Sequence, residues 1–430
     1  MRRWLAILVL ALNLAACAPM LPPPPQVAAP APRPEPVRPA PAPTPAPAQP
    51  TPTPAEAMEF DAWRESFLDR RAGADRAAWA RELAGLTPDM TVVSRDRTQP
   101  EFSRSAGDYI TRAVTDGRVA EGRRRINESP WMASIERRYG VPRELLVAVW
   151  ANESGFGRIQ GDSDVVRSLA TLAWEGRRRA WAEGQLADAL DIITSGKAPR
   201  SRLKGSWAGA MGQTQFMPDN YLRLAQDGNG DGVVDIWGSE ADSLASAANL
   251  LARAGWKPGQ AWAVEVTLPE GFDYGASEEK HPWSFWQARG VRRADGAAFS
   301  SAEAAEEANI LLPQGAGGPA FLALPNHYVI RRYNNSVAYA LAIGLTADGI
   351  AGRPGLTRAW PVEEPLGREQ RLGAQRALAA LGYDPGGIDG VIGTGTRNAL
   401  RRFQVDNGLL ADGHLNAAVA AELQRRAAAR

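Results

Sequence analysis

A long segment near the N-terminus of this 430-residue chain consists almost entirely of Pro and Ala. It covers residues 18–55, carries little charge and has no periodic apolar face. Such a composition cannot bury enough apolar surface to form a core, and it favours an extended polyproline-type conformation of about 3.1 Å per residue. The folded part must therefore follow this segment, which is expected to act as a semi-rigid tether.

The residues before the tether have the pattern of an export signal. Residues 1–3 are a basic start, and the apolar stretch 4–14 is too short to span a bilayer. Leu14-Ala15-Ala16-Cys17 resembles a bacterial lipoprotein box, which implies a signal peptide of residues 1–16 and a lipid anchor on Cys17 that attaches the protein to a membrane. The alternative is an ordinary secretory peptide. Because Cys17 is the sole cysteine, lipidation is favoured.

The expected location is the periplasmic face of the cell envelope. Ala18 follows Cys17, where some bacteria use Asp as an inner-membrane retention signal, so the outer membrane is favoured. Lys+Arg 49 against Asp+Glu 48 gives a net charge of +1, which offers no support for nucleic-acid binding. One cysteine and three scattered histidines exclude a disulfide framework and a zinc cluster.

Beyond residue 56 the sequence is that of a mainly α domain with small β elements, which we assign to residues 56–360. Helical patterns are predicted at Phe60–Arg71, Ala77–Leu83, Pro142–Glu153, Ala180–Thr194 and Ser243–Arg253. Extended stretches are predicted at Ala263–Leu268 and His327–Ile330.

A second composition break at Pro361–Pro365 precedes a small module over residues 366–427. Gln370–Leu381 and Thr396–Asn407 have amphipathic helical patterns, and a Gly- and Asp-rich turn lies between them. We predict a three-helix domain that is small for a core of its own but self-contained.

Glu153 is the strongest candidate for chemistry. A helix-compatible run begins after Pro142, has this carboxylate near its end and stops at Gly155. At a helix C-terminus, with Trp150 and Phe156 available to exclude water, the carboxyl should have a raised pKa and serve as a general acid. The alternative is a solvated residue at a frayed helix end.

A glycine-rich loop at 205–218 is the second candidate region. Its glycines permit tight turns and a close approach of backbone to a ligand. Gln213 and Gln215 offer donors and an acceptor suited to an N-acetyl group. The alternative is a loop that merely packs tightly.

Seven motifs in chain order resemble the membrane-bound lytic murein transglycosylases of the B type, over most of 56–350. They are ESGFG at 153–157, SLATL at 168–172, RRRA at 177–180, KGS at 204–206, GAMG at 209–212, QFMP at 215–218 and YNNS at 333–336. The resemblance implies a lysozyme-like domain that needs no cofactor. It also implies cleavage of peptidoglycan glycan strands between N-acetylmuramic acid and N-acetylglucosamine.

By this resemblance Glu153 is the catalytic acid and base. The residues that would line the sugar-binding groove are Ser206, Gln215, Tyr333, Asn334 and Tyr339. Arg178 and Arg179 are further candidates for substrate contact, with solvated helix charges as the alternative.

A single matched carboxylate constrains the mechanism, because most glycoside hydrolases use two. Asp162 and Asp164 lie nearby in sequence, but no motif matches them. The resemblance implies that the C6 hydroxyl of the sugar attacks C1 and forms a 1,6-anhydro product. A hydrolytic muramidase and a non-catalytic peptidoglycan-binding scaffold remain alternatives.

The segment 227–235 is similar to the start of a calcium loop. Asp227, Asn229, Asp231 and Asp235 stand at positions 1, 3, 5 and 9. Position 12 is Gly238, so Glu240 or Asp242 would have to close a longer loop. A structural Ca²⁺ and a metal-free polar turn both stay open.

The C-terminal module resembles the small helical peptidoglycan-binding domain. The matching pieces are LGY at 381–383, IDGVIG at 388–393, Thr396, FQ at 403–404, GL at 408–409 and DG at 412–413. The alternative is a helical accessory domain without a ligand.

Overall fold

The structure is a computed structural model that describes residues 51–98, 104–299 and 301–429. The predicted export signal, Cys17 and the tether up to residue 50 lie outside the described residues. Helices dominate the described chain, and a small sheet accompanies them. The predicted fold class, mainly α with small β elements, is therefore confirmed.

Loops and short strands connect the helices of the described chain. In order they are α1 (Pro54–Arg71), α2 (Arg76–Leu83), α3 (Met90–Thr98), α4 (Ala106–Ala113), α5 (Asp116–Glu128), α6 (Met132–Tyr139), α7 (Arg143–Ser154), α8 (Val165–Glu175), α9 (Arg179–Thr194), α10 (Pro218–Leu224), α11 (Glu240–Arg253), α12 (Trp283–Ala288), α13 (Ser301–Ala305), α14 (Pro325–Tyr333), α15 (Val337–Ile350), α16 (Arg368–Ala380), α17 (Thr394–Asp406) and α18 (Ala417–Ala428). None of these helices is long and apolar enough to cross a bilayer.

The strands of the described chain form two antiparallel sheets. They are β1 (Ser163–Asp164), β2 (Lys204–Gly205), β3 (Ala263–Thr267), β4 (His281–Pro282), β5 (Arg292–Arg293), β6 (Glu307–Leu311) and β7 (Ala320–Ala323). Strands β1 and β2 pair with each other, and the others form a sheet in the order β4-β6-β7-β3-β5. In its centre Val264 of β3 and Ile310 of β6 both lie opposite Leu322 of β7.

Helix α7 lies in the middle of the main hydrophobic core. Its residues 145–151 are all buried, and α5, α6, α11 and α15 pack around it. A helix that is apolar on every side requires such enclosure. Pro142 precedes its first turn, and Gly155 ends it in the left-handed conformation with φ 57°. These ends match the predicted ones and place Glu153 in the last turn.

The five-stranded sheet separates the main core from a smaller one. Val264, Val266 and Leu322 pack into the small core around Trp286, whereas Phe321 joins the main core. Because successive residues of a strand point to opposite faces, one sheet can close both cores. The sheet is thereby fixed against the main core that surrounds α7, the helix of Glu153.

The C-terminal module has its own core around Phe403, enclosed by α16, α17 and α18. Two buried glutamines hold its Asp-Gly turns. The Oε1 atom of Gln375 accepts the N–H of Gly390 at 2.7 Å, and that of Gln404 accepts the N–H of Gly413 at 2.8 Å. The predicted three-helix domain is confirmed.

Ion pairs and a hydrogen bond attach this module to the region that carries the sheet. Glu278 accepts from Arg397 at 3.0 Å and from the buried Arg401 at 2.9 Å. The backbone N–H of Ala316 donates to Asp412 at 3.0 Å. The Asp-Gly turn at 412–413 therefore faces protein in this structure.

The predicted strand at His327–Ile330 is wrong. These residues belong to α14, which follows Leu324 and has Pro325 at its first position. Proline is favoured there because the first helical N–H has no partner within the helix. A short apolar run fits both a strand and one face of a helix, so periodicity alone could not decide.

Candidate active site

The side chain of Glu153 is hydrogen bonded to the hydroxyl of Tyr339 within the main core. The Oη atom of Tyr339 donates to Oε1 of Glu153 at 2.5 Å, and Tyr339 is 3% exposed in the first turn of α15. Burial raises the pKa of Glu153 to about 7, and the hydrogen bond from Tyr339 opposes this rise. The carboxyl is thus poised to hold and release a proton near neutral pH, as the sequence predicted.

The chain turns sharply directly after Glu153. Gly155, Phe156 and Gly157 all have positive φ, which is strained for the phenylalanine at 63°. Ser154 holds the turn, because its Oγ atom donates to the carbonyl of Gln213 and accepts the N–H of Gly157 at 2.8 Å. These bonds hold the strained turn in place at the end of α7.

Trp150 and Phe156 form an aromatic wall at this turn. Both are buried, and their rings meet edge to face with centroids 5.6 Å apart. The guanidinium of Arg125 covers the Trp150 ring at 5.4 Å. The predicted exclusion of water by this pair is consistent with the burial that raises the pKa of Glu153.

Two further tyrosines surround the carboxyl. Tyr333 of α14 donates to the carbonyl of Thr214 at 2.6 Å, and burial and the charge of Glu153 raise its pKa well above 10. Burial and Glu153 also raise the pKa of Tyr109 in α4, whereas a hydrogen bond to Asn152 lowers it. The phenols of Tyr339, Tyr333 and Tyr109 therefore all keep their protons and lie around the carboxyl of Glu153.

Tyr109 is the residue that sequence reasoning missed. It lies in α4, 44 positions before Glu153, and no motif of the sequence marks it. Only the packing of α4 against α15 brings it to the carboxyl.

Burial and the hydrogen bond from Tyr339 account for the shift in the pKa of Glu153, and no other carboxylate of the described residues contributes to it. Asp164 accepts the N–H of Arg167 and pairs with Arg200 at 2.7 Å, while Asp162 lies in an exposed loop. Neither aspartate is therefore hydrogen bonded to Glu153 as part of a carboxylate pair in the described chain.

The glycine-rich loop packs against the C-terminal end of α7. Gln213 accepts from the indole N–H of Trp150 at 3.0 Å and donates to the carbonyl of Trp237, so its amide is used inside the protein. Gln215 has φ 51°, and its Nε2 atom donates to the carbonyls of Gln160 and Gly212. Its Oε1 atom takes no part in these two bonds.

Ser206 shapes the same loop. Its Oγ atom accepts the backbone N–H groups of Ala208 and Ala210 at 3.3 and 3.0 Å. Asn334 ends α14, where it is exposed and its carbonyl accepts the N–H of Ser336. A role in substrate contact stays a prediction for both residues.

The two candidate arginines make contacts within the protein. Arg178 pairs with the buried Asp96 at 2.9 Å and stacks on Trp181. Arg179 donates to the carbonyl of Ala173 at 3.2 Å. Their predicted contact with substrate stays a prediction.

The predicted calcium loop is a turn with internal hydrogen bonds. Asp227 accepts the N–H groups of Gly230 and Gly232 at 2.6 and 2.8 Å, and Asn229 donates to Asp231 at 2.9 Å. Among the described residues, no three His, Cys, Asp or Glu side chains converge on a point suited to a metal.

The fourth predicted ligand is engaged elsewhere. Asp235 pairs with Arg202 at 3.2 Å and accepts the N–H groups of Trp237 and Gly238. Asp242, a candidate to close a longer loop, is fully buried and accepts the N–H groups of Gly228 and Asp235. The turn therefore offers three of the four predicted ligands.

Comparison with known proteins assigns both parts of the chain. The transglycosylase SLT domain family matches residues 59–348, and a peptidoglycan binding domain family matches residues 368–423. The larger match and the position of Glu153 within it indicate the class of lytic transglycosylases. The chain belongs to the transglycosylase SLT domain family and carries a peptidoglycan binding domain at its C-terminal end.

Individual relatives agree with this assignment. The chain is 34% identical over 220 residues to membrane-bound lytic murein transglycosylase B of Escherichia coli strain K12, a match that covers 50% of this chain and 58% of that protein. It is 46% identical to SltB3 of Pseudomonas aeruginosa, whose crystal structure holds NAG-anhNAM-pentapeptide. That match has a TM-score of 0.80 and covers 85% of this chain and 99% of SltB3.

The lytic transglycosylase Slt35 of Escherichia coli, crystallised in complex with calcium, is a more distant structural relative. It is 28% identical with a TM-score of 0.59, and the match covers 70% of this chain and 96% of Slt35.

Proposed function

We propose that this protein is a lytic transglycosylase of peptidoglycan. It cleaves the bond between N-acetylmuramic acid and N-acetylglucosamine and leaves a 1,6-anhydromuramic end. The observation that carries this proposal is a single carboxyl, Glu153, whose pKa is raised to about 7 by burial and which has no partner acid within the described residues. SltB3 crystallised with NAG-anhNAM-pentapeptide and also with NAG-NAM-pentapeptide, which supports an anhydro product.

In the first step protonated Glu153 gives its proton to the glycosidic oxygen, and the C1–O bond breaks. The N-acetyl group of the muramic sugar or nearby dipoles stabilise the positive charge at C1. In the second step ionised Glu153 takes the proton of the C6 hydroxyl, and O6 bonds to C1. Glu153 ends protonated again, so the cycle consumes no water and no net proton. A pKa near 7 suits both steps because acid and base forms are both populated.

Tyr339 positions the acid for this double role. Its hydroxyl donates to Oε1 and favours the ionised carboxylate, which limits the effect of burial. Burial and the charge of Glu153 raise the pKa of Tyr339 well above 10, so the phenol keeps its proton. Tyr339 thus stabilises the base form without competing as an acid.

Substrate contact is proposed for the loop and helix ends around Glu153. Oε1 of Gln215 is an acceptor for an acetamido N–H, because the nitrogen of the same amide is bound to Gln160 and Gly212. Tyr333 holds the loop through Thr214 and offers its ring to a sugar. Ser206, Asn334, Arg178 and Arg179 complete the proposed groove.

Mass spectrometry of purified cell-wall sacculi digested with the protein tests this function. We expect 1,6-anhydromuramic products and no reducing ends. Reducing ends would instead identify a muramidase, and wall binding without release would identify a scaffold. A matched digestion with Glu153→Gln should release nothing while still binding sacculi.

For the domain limits we propose a catalytic domain at 56–360 and a wall-binding domain at 366–427. The family matches at 59–348 and 368–423 lie inside these limits. Removal of residues 366–430 should lower retention on sacculi in a sedimentation assay, whereas release from short soluble glycans should persist.

We also propose a lipid anchor on Cys17 and residence at the periplasmic face of the envelope, with the outer membrane favoured. Support comes from the lipoprotein box in the sequence and from the membrane-bound relative in Escherichia coli. Radiolabelled palmitate should label the protein, and Cys17→Ser should abolish the label. Sucrose-gradient separation of the two membranes tests the location.

A structural Ca²⁺ at the 227–231 turn is a further proposal, with no part in the chemistry. Asp227, Asn229 and Asp231 supply oxygens of the kind that calcium prefers, and the related Slt35 was crystallised with calcium. Calcium should raise the unfolding temperature of the parent chain relative to EDTA, but not that of Asp227→Ala. An equal effect on both would contradict the proposal.

A further inference from the structure

The C-terminal module contains two Asp-Gly turns of the same construction. In the first, Oδ1 of Asp389 accepts from Nε2 of Gln375 at 3.2 Å and from the N–H of Val391 at 2.8 Å. The Oε1 atom of Gln375 in turn accepts the N–H of Gly390. Gly390 has a φ of 80°, and the next helix, α17, begins at Thr394, five residues after the aspartate.

The second turn repeats these features one by one. Oδ1 of Asp412 accepts from Nε2 of Gln404 at 3.1 Å and from the N–H of His414 at 2.9 Å. Gly413 has a φ of 72°, and α18 begins at Ala417, again five residues after the aspartate. The two turns are therefore equivalent positions of an internal repeat, so a partner held by one indicates what the other can hold.

The second turn holds a peptide segment of the same chain. Oδ2 of Asp412 accepts the backbone N–H of Ala316 at 3.0 Å. Gly315, the residue before that N–H, has a φ of 61°, and an L side chain there would collide with Oδ2 of Asp412 and with Cβ of His414. Glycine avoids this collision, and so does a D-residue, which favours positive φ and carries its Cβ on the other side of Cα. The turn thus selects an amide that follows a glycine or a D-residue.

The first turn is open where the second is occupied. Within the described residues, both hydrogen bonds to the Asp389 side chain end on Oδ1, so Oδ2 keeps its capacity as an acceptor. Asp389 is exposed, and so are Ile388 at 48% and Val391 at 61%. Val391 stands at the position of His414, the residue that lies against Gly315 in the second turn. The open turn therefore offers a charged acceptor flanked by apolar side chains.

We propose that the Asp389 turn binds a peptide amide that follows a D-residue. Oδ2 of Asp389 accepts the amide N–H, and small apolar side chains of the peptide pack on Ile388 and Val391. The stem peptides of peptidoglycan contain D-alanine, whereas ordinary proteins are built from L-residues. This inference rests on the proposed wall-binding role of residues 366–427 and names the group that the module recognises.

Isothermal titration of the full chain tests the proposal with N-acetyl-D-Ala-D-Ala and its mirror image, N-acetyl-L-Ala-L-Ala. The D-form should bind at least about tenfold more tightly, because an L-residue is disfavoured at positive φ and would collide with the aspartate. N-acetylglucosamine is the third probe, because its acetamido group also carries an N–H. Equal binding of the two mirror images, binding of neither, or binding of the sugar alone would overturn the proposal.

Two variants test where the D-form binds. Asp389→Asn replaces Oδ2 by an amide nitrogen that cannot accept, because the two donors on Oδ1 keep the amide oxygen in place. Binding should weaken at least about tenfold. Val391→Ser removes exposed apolar surface without touching the core, and binding should weaken about fivefold. Asp384→Asn, the same change at an exposed aspartate that accepts the N–H of Gly386, should leave binding unchanged. Full binding in both Asp389→Asn and Val391→Ser would overturn the proposal.

Sedimentation with sacculi separates this inference from the wall-binding role on which it rests. Retention that falls both on removal of residues 366–430 and in Asp389→Asn supports the two together. Retention that falls on removal but is unchanged in Asp389→Asn would overturn this inference alone. Retention unaffected by removal would overturn the wall-binding role itself. Release of anhydro products from short soluble glycans should be the same in Asp389→Asn as in the parent.

Discussion

Glu153 and Asp227 carry the same functional group in opposite surroundings. Glu153 is enclosed by tyrosines and aromatic rings, and burial raises its pKa to about 7. Asp227 lies in a surface turn, where the backbone N–H of Gly232, together with that of Gly230, lowers its pKa. Removal of water favours the neutral acid, whereas donated hydrogen bonds favour the anion. The surroundings alone decide which carboxyl is a proton donor at neutral pH.

The largest expected effect is the loss of activity in Glu153→Gln. Glutamine keeps the shape but can neither give nor take the proton, so both steps fail. General acid–base groups contribute about 10²–10⁴-fold in rate, and we expect anhydro-product release to fall by at least about 10³-fold. Asp227→Asn, the same chemical change at the turn, should stay within about twofold of the parent. Comparable losses of anhydro-product release in Glu153→Gln and Asp227→Asn would contradict the different roles assigned to the two carboxyls.

A smaller effect is expected from Tyr339→Phe. Without the donated hydrogen bond the pKa of Glu153 rises further, because that bond lowers it in the parent. The alkaline limb of the pH–rate profile should therefore move to higher pH. The rate at pH 7 should fall about tenfold, because the ionised form of Glu153 loses the hydrogen bond that stabilises it. Tyr139→Phe, whose phenol bonds Gln226 in another part of the core, should leave the profile in place. An unshifted profile in Tyr339→Phe would show that the phenol does not set the acidity.

The contributions of Glu153 and Asp227 to the free energy of unfolding should change with pH in opposite directions. The pKa of Glu153 is raised from 4.5 to about 7. The free-energy cost of burying its charge is therefore absent below pH 4.5 and largest above pH 7. Glu153→Gln should therefore be more stable than the parent at pH 8, by up to about 3 kcal/mol, and not at pH 4. Urea unfolding at both pH values measures this. A variant that is less stable at pH 8 would contradict the assigned environment.

The smallest expected effect is at the turn. The pKa of Asp227 is lowered, so its stabilisation is present above its unfolded pKa and fades as pH falls through the folded value. Asp227→Asn should lower the unfolding temperature slightly at pH 7 and not at pH 2. Asp61→Asn, an exposed carboxylate on α1, is the matched control for general charge effects. Equal shifts in the two variants would remove any special role of the turn.

The catalytic helix was predictable because its signals are local. Pro142, the apolar run and Gly155 determine where α7 begins and ends, and they place Glu153 in the last turn. The family resemblance also named Tyr339, as a residue of the sugar-binding groove, and the structure shows it bonded to Glu153. Tyr109 was missed, because its position depends on tertiary packing and no local pattern encodes it.

The sheet was harder to predict. Only Ala263–Leu268 was identified among its strands, and Ala320–Ala323 was missed because all four residues are buried. A strand that is covered on both faces shows no alternation of polar and apolar residues. The error at His327–Ile330 has a related cause, since a short apolar run fits either periodicity. Gln213, which the sequence suggested as suited to an N-acetyl group, accepts the indole N–H of Trp150 and so fastens the loop to α7.

The bond between Tyr339 and Glu153 joins residues 186 positions apart in sequence. An extended chain has no such enclosure, so its carboxyl returns to an ordinary acidity and is ionised at neutral pH. A wall-cutting activity built this way is absent from the unfolded chain and begins only when α15 has docked on α7.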